Sequence, residues 1–340
     1  MLDLSLICLQ KAQDQVTGPP NLGYFCFNAL KRHINGGTTM TIAKLNADFA
    51  IDGRLKVVEG PGGLPMLDIN TDQAQARISP YAGQVLSFKP AGQKDDLLFL
   101  SKSAYYAPGK AIKGGVPICW PWFGPDPEGK GRPGHGFVRN RPWVLRSTEA
   151  IGDGRIQVRL GLTDSDETRA IWDHAFDLEL QATIGSTLDV ALTTRNTGSA
   201  AFALSQGLHT YFAVGDIAKT QVQGLDGCAY IDNMDGGAKK VQHGAVDVGG
   251  ETERIYSGVN GALEIEDKAL NRRITIRPGG SASAVVWNPW AATAASMADL
   301  GDDDYKTLLC VETINAGTDG LQIAPGDEHR LGVEYGLTGV

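Results

Sequence analysis

His209 and Glu312 are the two residues whose settings point most directly to chemistry. His209 stands in LSQGLHTYFAVGD, between a glycine and an aromatic pair, where a strand end can turn a side chain into a pocket. Glu312 is the one acid in the apolar run Leu308 to Val311 and beyond, and a carboxylate in such a strand is rare unless it is paired or functional. An imidazole and a carboxylate on separate strands that open toward one cavity make a general acid and a general base, without metal or cofactor. Each also has a structural alternative: a satisfied core histidine and a buried ion pair. The six histidines, His33, His135, His174, His209, His243 and His329, include no pair at the spacing of a helical metal motif, so neither metal nor cofactor is expected.

A second group of residues could hold a polar ligand. In Lys113–Arg139, KGGVPICWPWFGPDPEGKGRPGHGFVR, the glycines and prolines forbid a long helix or a central strand, while the aromatics, His135 and the cations are recognition groups. From Lys110 to Arg141, six lysines and arginines face Asp126 and Glu128, an excess of +4 in a chain of net charge -8. One cationic segment in an acidic protein suits a small anion such as a phosphate or carboxylate; nucleic acid calls for an extended basic face. Solvated loop charges are the alternative. Trp120, Trp122, Phe123, Tyr211, Trp287 and Trp290 offer flat faces on which sugar rings pack, or else belong to the core.

Two motifs resemble others only in their letters. GKGRPG, Gly129–Gly134, matches GxGxxG but has no strand before it and no helix opening on it. ALSQG, Ala203–Gly207, is one residue away from a nucleophile elbow, and a serine hydrolase would place Ser205 on a strand-to-helix turn with its histidine far downstream. The residues that follow carry no helical stripe, so this reading stays a weak competitor.

The elements that must position these groups are short strands. Leu55 and Val57, Ile78, and Val85 to Phe88 lie in runs bounded by turn signals; Ile156, Val158, Leu160 and Leu162 alternate with polar residues. Two further strands flank Gly185-Ser186 as a hairpin. Others are expected over Ala203–Phe212, Leu263–Glu266, Ile274–Arg277, Ala284–Trp287, Leu308–Thr313 and Leu331–Tyr335, and one short helix in TDSDETRAIWDHAF, capped by Asp164 or Ser165. Without regular βα alternation, the pattern implies an all-β antiparallel sandwich or barrel. It is expected to span residues 45–338, behind an N-terminal extension, residues 1–44, of weak order. Glycine, 43 of 340 residues, is scattered among the turns. Five cysteines, Cys8, Cys26, Cys119, Cys228 and Cys310, contain no CxxC pair and imply a reducing, cytoplasmic setting. No run is apolar enough to span a bilayer and no secretion signal is evident, so a soluble protein without membrane or nucleic-acid partners, acting as a monomer, is expected.

Five motifs in order, KGGVPICWPWFGP, HGFVR, LHTYFAVGDI, VVWNPW and LLCVE, resemble the hexose-6-phosphate mutarotases, or glucose-6-phosphate 1-epimerases, within the aldose 1-epimerase group. The resemblance implies an antiparallel β-supersandwich, a catalytic acid at His209, a catalytic base at Glu312, and substrate contacts at Lys113, Gly134, His135, Arg139 and Glu253. Three positions depart from the family pattern: lysine at 113 where arginine is common, glycine at 134 where some relatives have glutamine, and glutamate at 253 where aspartate is usual. Lysine keeps the charge but loses the bidentate fork. Mutarotation of an unphosphorylated aldose and non-catalytic carbohydrate binding are the alternatives on the same fold.

Overall fold

Nearly every apolar alternation in the sequence folds into a strand, and the strands pair antiparallel. The structure, a computed structural model, describes residues 41–339. Of the expected extension, residues 1–40 lie outside the described residues. Residues Ile42–Phe49 form a helix that no sustained periodicity announced. Thr41 caps it by accepting the Lys44 amide at 3.1 Å, and the Asn46 carboxamide exchanges two hydrogen bonds, of 2.7 and 2.8 Å, with the Val57 backbone. Tertiary hydrogen bonding, more than helix propensity, holds this segment.

Among the described residues the strands form sheets of nine, eight, four and two strands. The nine-stranded sheet contains Ile156–Thr163, Phe176–Ile184 and Leu188–Asn196, whose alternate side chains are buried as their period-two pattern requires. Ile184 pairs with Leu188, so the hairpin turn holds Gly185, Ser186 and Thr187, one residue more than the Gly-Ser pair alone predicts. The expected helix is short, Asp166–Ile171, with Ser165 and Thr168 forming a reciprocal capping box.

The eight-stranded sheet packs against the nine-stranded one. Phe212 sets its ring edge-on to Tyr335 at 5.3 Å, and the Trp120 indole donates to Thr194 Oγ1 at 3.1 Å across the interface. Its central strand, Leu308–Asn315, is buried at every position because both faces are covered. Leu309 pairs with Phe212, so that face meets the second sheet; Cys310 pairs with Tyr211 and with Trp287, so Cys310 and Glu312 share the opposite face.

One expected strand is broken in a way that matters. Ala203–Phe212 is three short strands, Phe202–Leu204, Gln206–Leu208 and Tyr211–Ala213. At the two breaks the Ser205 amide donates to Pro121 O at 3.1 Å and the His209 amide to Pro117 O at 2.9 Å. The second break leaves His209 outside the ladder. No helix among the described residues is long and apolar enough to cross a membrane.

Candidate active site

His209 and Glu312, 103 positions apart in sequence, meet on the outer face of the eight-stranded sheet. His209 Nδ1 lies 3.4 Å from Glu312 Oε1, with the two residues 8% and 2% exposed. His209 stacks on Tyr211 at 4.9 Å with only 9° between the planes, and Trp287 stands edge-on to both rings at 6.0 Å. The pair therefore sits in an aromatic-walled, poorly solvated corner. Glu312 Oε2 and His209 Nδ1 have no hydrogen-bond partner among the described residues, so they keep their capacity for a ligand.

Burial pushes Glu312 well above the usual carboxylate range, and the negative Glu253 pushes it further, while Arg139 opposes both. Burial holds His209 well below the ordinary imidazole value, and His135, Arg139 and Lys113 add to this. Both groups thus favour their neutral forms, and at 3.4 Å their titrations are coupled. A carboxylate of raised affinity is a strong base once ionised; an imidazolium of lowered affinity is a strong acid.

A backbone clamp brings the glycine-rich segment onto the pair. Trp120 N donates to His135 O at 3.2 Å and Phe137 N donates to Trp120 O at 3.1 Å, laying residues 135–137 beside Ile118–Cys119. Only glycine fits at 136: its φ is +76°, and a Cβ would lie 1.7 Å from Trp120 O. Gly115 serves similarly on the other side, with φ +64° and a Cβ position 2.2 Å from Val85 O, which lets the Lys113 segment lie flat on its neighbours.

His135, itself at φ +61°, accepts the Gly124 amide on Nδ1 at 3.2 Å, and its ring centre lies 5.4 Å from that of His209. Burial and the cations Arg139 and Lys113 hold it down to about 3, so it is a neutral imidazole whose Nε2–H is a donor. Half-buried Arg139 donates to Gly134 O at 3.1 Å and has no carboxylate partner among the described residues. Gly134 therefore contributes a carbonyl that aims Arg139. Lys113 is paired with Asp299 at 3.4 Å, and Glu253, directly across from Trp287 in the ladder, accepts from Asn233 Nδ2 at 2.8 Å. The five expected contact residues thus lie on loops and strands around the pair, but only Arg139 among the cations keeps its charge uncountered.

The broader +4 patch is not one surface. Lys130 pairs with Glu128, Arg132 with Asp126 and Glu128, and Arg141 approaches Glu167 at 3.8 Å. Asp126 also accepts the amides of Glu128, Lys130 and Arg132, which makes GKGRPG a self-contained turn; Arg132 holds its carboxyl well below the usual range. The elbow reading of Ser205 fails too: its hydroxyl accepts the Phe123 amide at 2.9 Å, and a strand follows it where a helix would have to start. Of the six aromatics, Tyr211 and Trp287 wall the site and Phe123 meets His135 at 5.0 Å. Trp120 and Trp122 are core, and Trp290 packs on Tyr305. His174 lies on Trp172 at 4.2 Å, away from the pair in a separate aromatic cluster.

The sequence had not flagged Asp299, Met297 or Cys310 as site residues. Met297 and Asp299 flank Lys113 from a turn after the helix Trp290–Ser296, a contact 184 residues apart at Met297. Cys310 offered a local signal in retrospect, its position two residues before Glu312 on one strand face.

The pattern of the aldose 1-epimerase family matches residues 65–336. A relative from Escherichia coli K12, provisionally named glucose-6-phosphate 1-epimerase, is 39% identical over 254 residues, 74% of this chain and 84% of its own. One of the same provisional name from the plant Cenchrus ciliaris is 34% identical over 81% of this chain and 85% of its own. The crystal structure of a provisionally assigned mutarotase from Salmonella typhimurium superposes with a TM-score of 0.80 at 33% identity, covering 88% of this chain and 99% of that one. With the antiparallel sandwich already in place and the family pattern running through both sheets, this chain belongs to the aldose 1-epimerase family and is an isomerase.

Proposed function

We propose that the protein interconverts the α and β anomers of a hexose 6-phosphate, as the names of its relatives suggest, with Glu312 and His209 as base and acid. The observation that carries this reading is the buried pair beside an arginine that no carboxylate among the described residues neutralises. Glu312, as carboxylate, removes the proton from the anomeric hydroxyl O1, and His209, as imidazolium, gives its proton to the ring oxygen O5. The C1–O5 bond breaks to the open aldehyde. Rotation by half a turn about C1–C2 presents the other face of the carbonyl, after which His209 takes the O5 proton back, O5 re-adds, and Glu312 returns a proton to O1. The walls of Tyr211 and Trp287 suit the C–H faces of the sugar, while His135, Glu253 and Arg139 supply the polar contacts. Lys113 joins them if the incoming phosphate draws it from Asp299. The same reading has the protein act as a monomer in the cytoplasm on a small molecule.

Proton NMR of anomer exchange for glucose 6-phosphate, glucose and galactose tests the reading. The phosphate ester should exchange fastest. Arg139→Ala should cost it about 1.5–3 kcal/mol, roughly tenfold to hundredfold in kcat/KM, while sparing the slow turnover of free sugar. Equal loss for both would place Arg139 elsewhere than at the phosphate. Acceleration of no sugar, with ligand still bound, would leave a carbohydrate-binding protein.

The pH profile follows from the coupling of the pair. The active pair carries one proton: a second, taken up at low pH, silences Glu312, and loss of the only one at high pH leaves no acid. Arg139 lowers the proton affinity of both groups. The bell-shaped profile of kcat/KM should therefore move as a whole to higher pH in Arg139→Ala, and the kcat profile, measured with phosphate bound on Arg139, should lie above that of kcat/KM. A bell that moves to lower pH would contradict the assignment.

A further inference from the structure

We propose that His209, Glu312 and Cys310 also form a three-ligand seat for a zinc-class divalent cation, which inhibits the protein by occupying its acid–base pair. One ligand atom from each of the three residues lies within 4.8 Å of the other two. In a tetrahedral zinc site, with Zn–N and Zn–O of about 2.0–2.2 Å, neighbouring ligand atoms stand about 3.4 Å apart. His209 Nδ1 and Glu312 Oε1 are already 3.4 Å apart. With Zn–S of about 2.3 Å, the sulfur edges need about 3.6 Å, so ligand atoms that lie within 4.8 Å of one another have to close by about 1.2 Å at most.

A second observation is independent of that spacing. His209 Nδ1 and Glu312 Oε2 are buried without a hydrogen-bond partner among the described residues, in side chains 10% and 1% exposed. Unsatisfied buried acceptors of this kind are rare and are the groups a cation satisfies. The strand supplies Cys310 and Glu312 two residues apart on one face, and the ladder break supplies His209 from its neighbour. Histidine spacing in the sequence could not announce a site assembled across two strands.

The donor set selects the ion. One nitrogen, one carboxylate oxygen and one thiolate suit Zn²⁺ or Co²⁺, whereas Mg²⁺ and Ca²⁺ want oxygen alone. On binding, the Cys310 S–H bond breaks, the proton passes to water, and the sulfur lone pair forms the S–metal bond; no electron is transferred. Three protein ligands leave a fourth position open to water or a sugar hydroxyl. The binding claim stands alone; only the inhibition rests on the acid–base reading.

Co²⁺ as a spectroscopic stand-in, added to the reduced full-length chain, tests it. One Co²⁺ per chain should bind with a near-ultraviolet thiolate charge-transfer band, and Zn²⁺ but not Mg²⁺ should displace it. Cys310→Ser should abolish the band and weaken Zn²⁺ binding, measured by equilibrium dialysis, at least about tenfold. Glu312→Gln should weaken it while leaving the thiol in place. Absence of the band in the wild-type chain overturns the site, and so does a band with unchanged Zn²⁺ affinity in Cys310→Ser, which would put the metal on another cysteine. Should Cys310→Ser not fold, unchanged Zn²⁺ affinity in Glu312→Gln is decisive against it. In the wild-type chain Zn²⁺ should inhibit anomer exchange competitively and a chelator should restore it. Metal binding without inhibition would retain the site and remove the acid–base assignment.

Discussion

Glu312→Gln should lower kcat for anomer exchange by about 10²–10⁴, with KM nearly unchanged. The amide has the carboxylate's shape but cannot take a proton from O1, so what is lost is an interaction made only in the transition state. The fold should not suffer. Glu312 is 2% exposed in a strand buried at every position, and a neutral amide there is easier to desolvate than a carboxylate. Its midpoint of thermal unfolding should match or exceed the wild-type value. A folded Glu312→Gln protein that exchanges glucose 6-phosphate within tenfold of the wild-type rate would remove Glu312 from the mechanism. Loss of both rate and fold would point instead to a buried structural ion pair.

Much of this arrangement was legible in the chain because it rests on local patterns. Period-two alternation marked most of the strands that build the nine-stranded sheet, and the acid in an otherwise apolar run marked Glu312. Residues 220–257 were less legible. Their strands, Thr220–Gln223, Ala229–Asp232, Ala238–Val241, Val246–Asp247 and Thr252–Ser257, are short, and Ala229–Asp232 and Ala238–Val241 have one buried residue between them, so no alternation stands out there. The helix Ile42–Phe49 was hidden for another reason: a carboxamide bonded to Val57 holds it, and that contact has no local signature.

The charges were legible only as a sum. Counting gave one cationic segment, but Asp126 and Glu128 fold back on Lys130 and Arg132, and Asp299 reaches Lys113 from 186 positions away. Among the described residues Arg139 has no carboxylate partner, and its hydrogen bond goes to the Gly134 carbonyl. Sequence spacing cannot say which acid meets which base, since pairing is decided by loops closing at glycines such as Gly136. The chemistry of single residues was therefore easier to read than the field that tunes them.

His209→Ala should cost as much as Glu312→Gln, about 10²–10⁴ in kcat, but its more informative effect is on the double variant. Acid and base act in one proton relay, so once either is gone the other has no productive step to assist, and the combined loss should be close to the larger single loss, far from the product of the two. Truncation also removes the ring that stacks on Tyr211 at 4.9 Å, so some stability will be lost for reasons unrelated to proton transfer. Two readouts separate these effects. Free imidazole, small enough for the vacated space, should restore part of the rate to His209→Ala and none to Glu312→Gln. The alkaline limb of the pH profile, which reports loss of the acid's proton, should disappear in His209→Ala, while the acid limb, which reports protonation of Glu312, should remain. A merely structural histidine would give additive losses, no rescue and an unchanged profile, and the proton to O5 would then have to come from another donor, of which His135, its Nδ1 committed to the Gly124 amide, is the neighbour best placed.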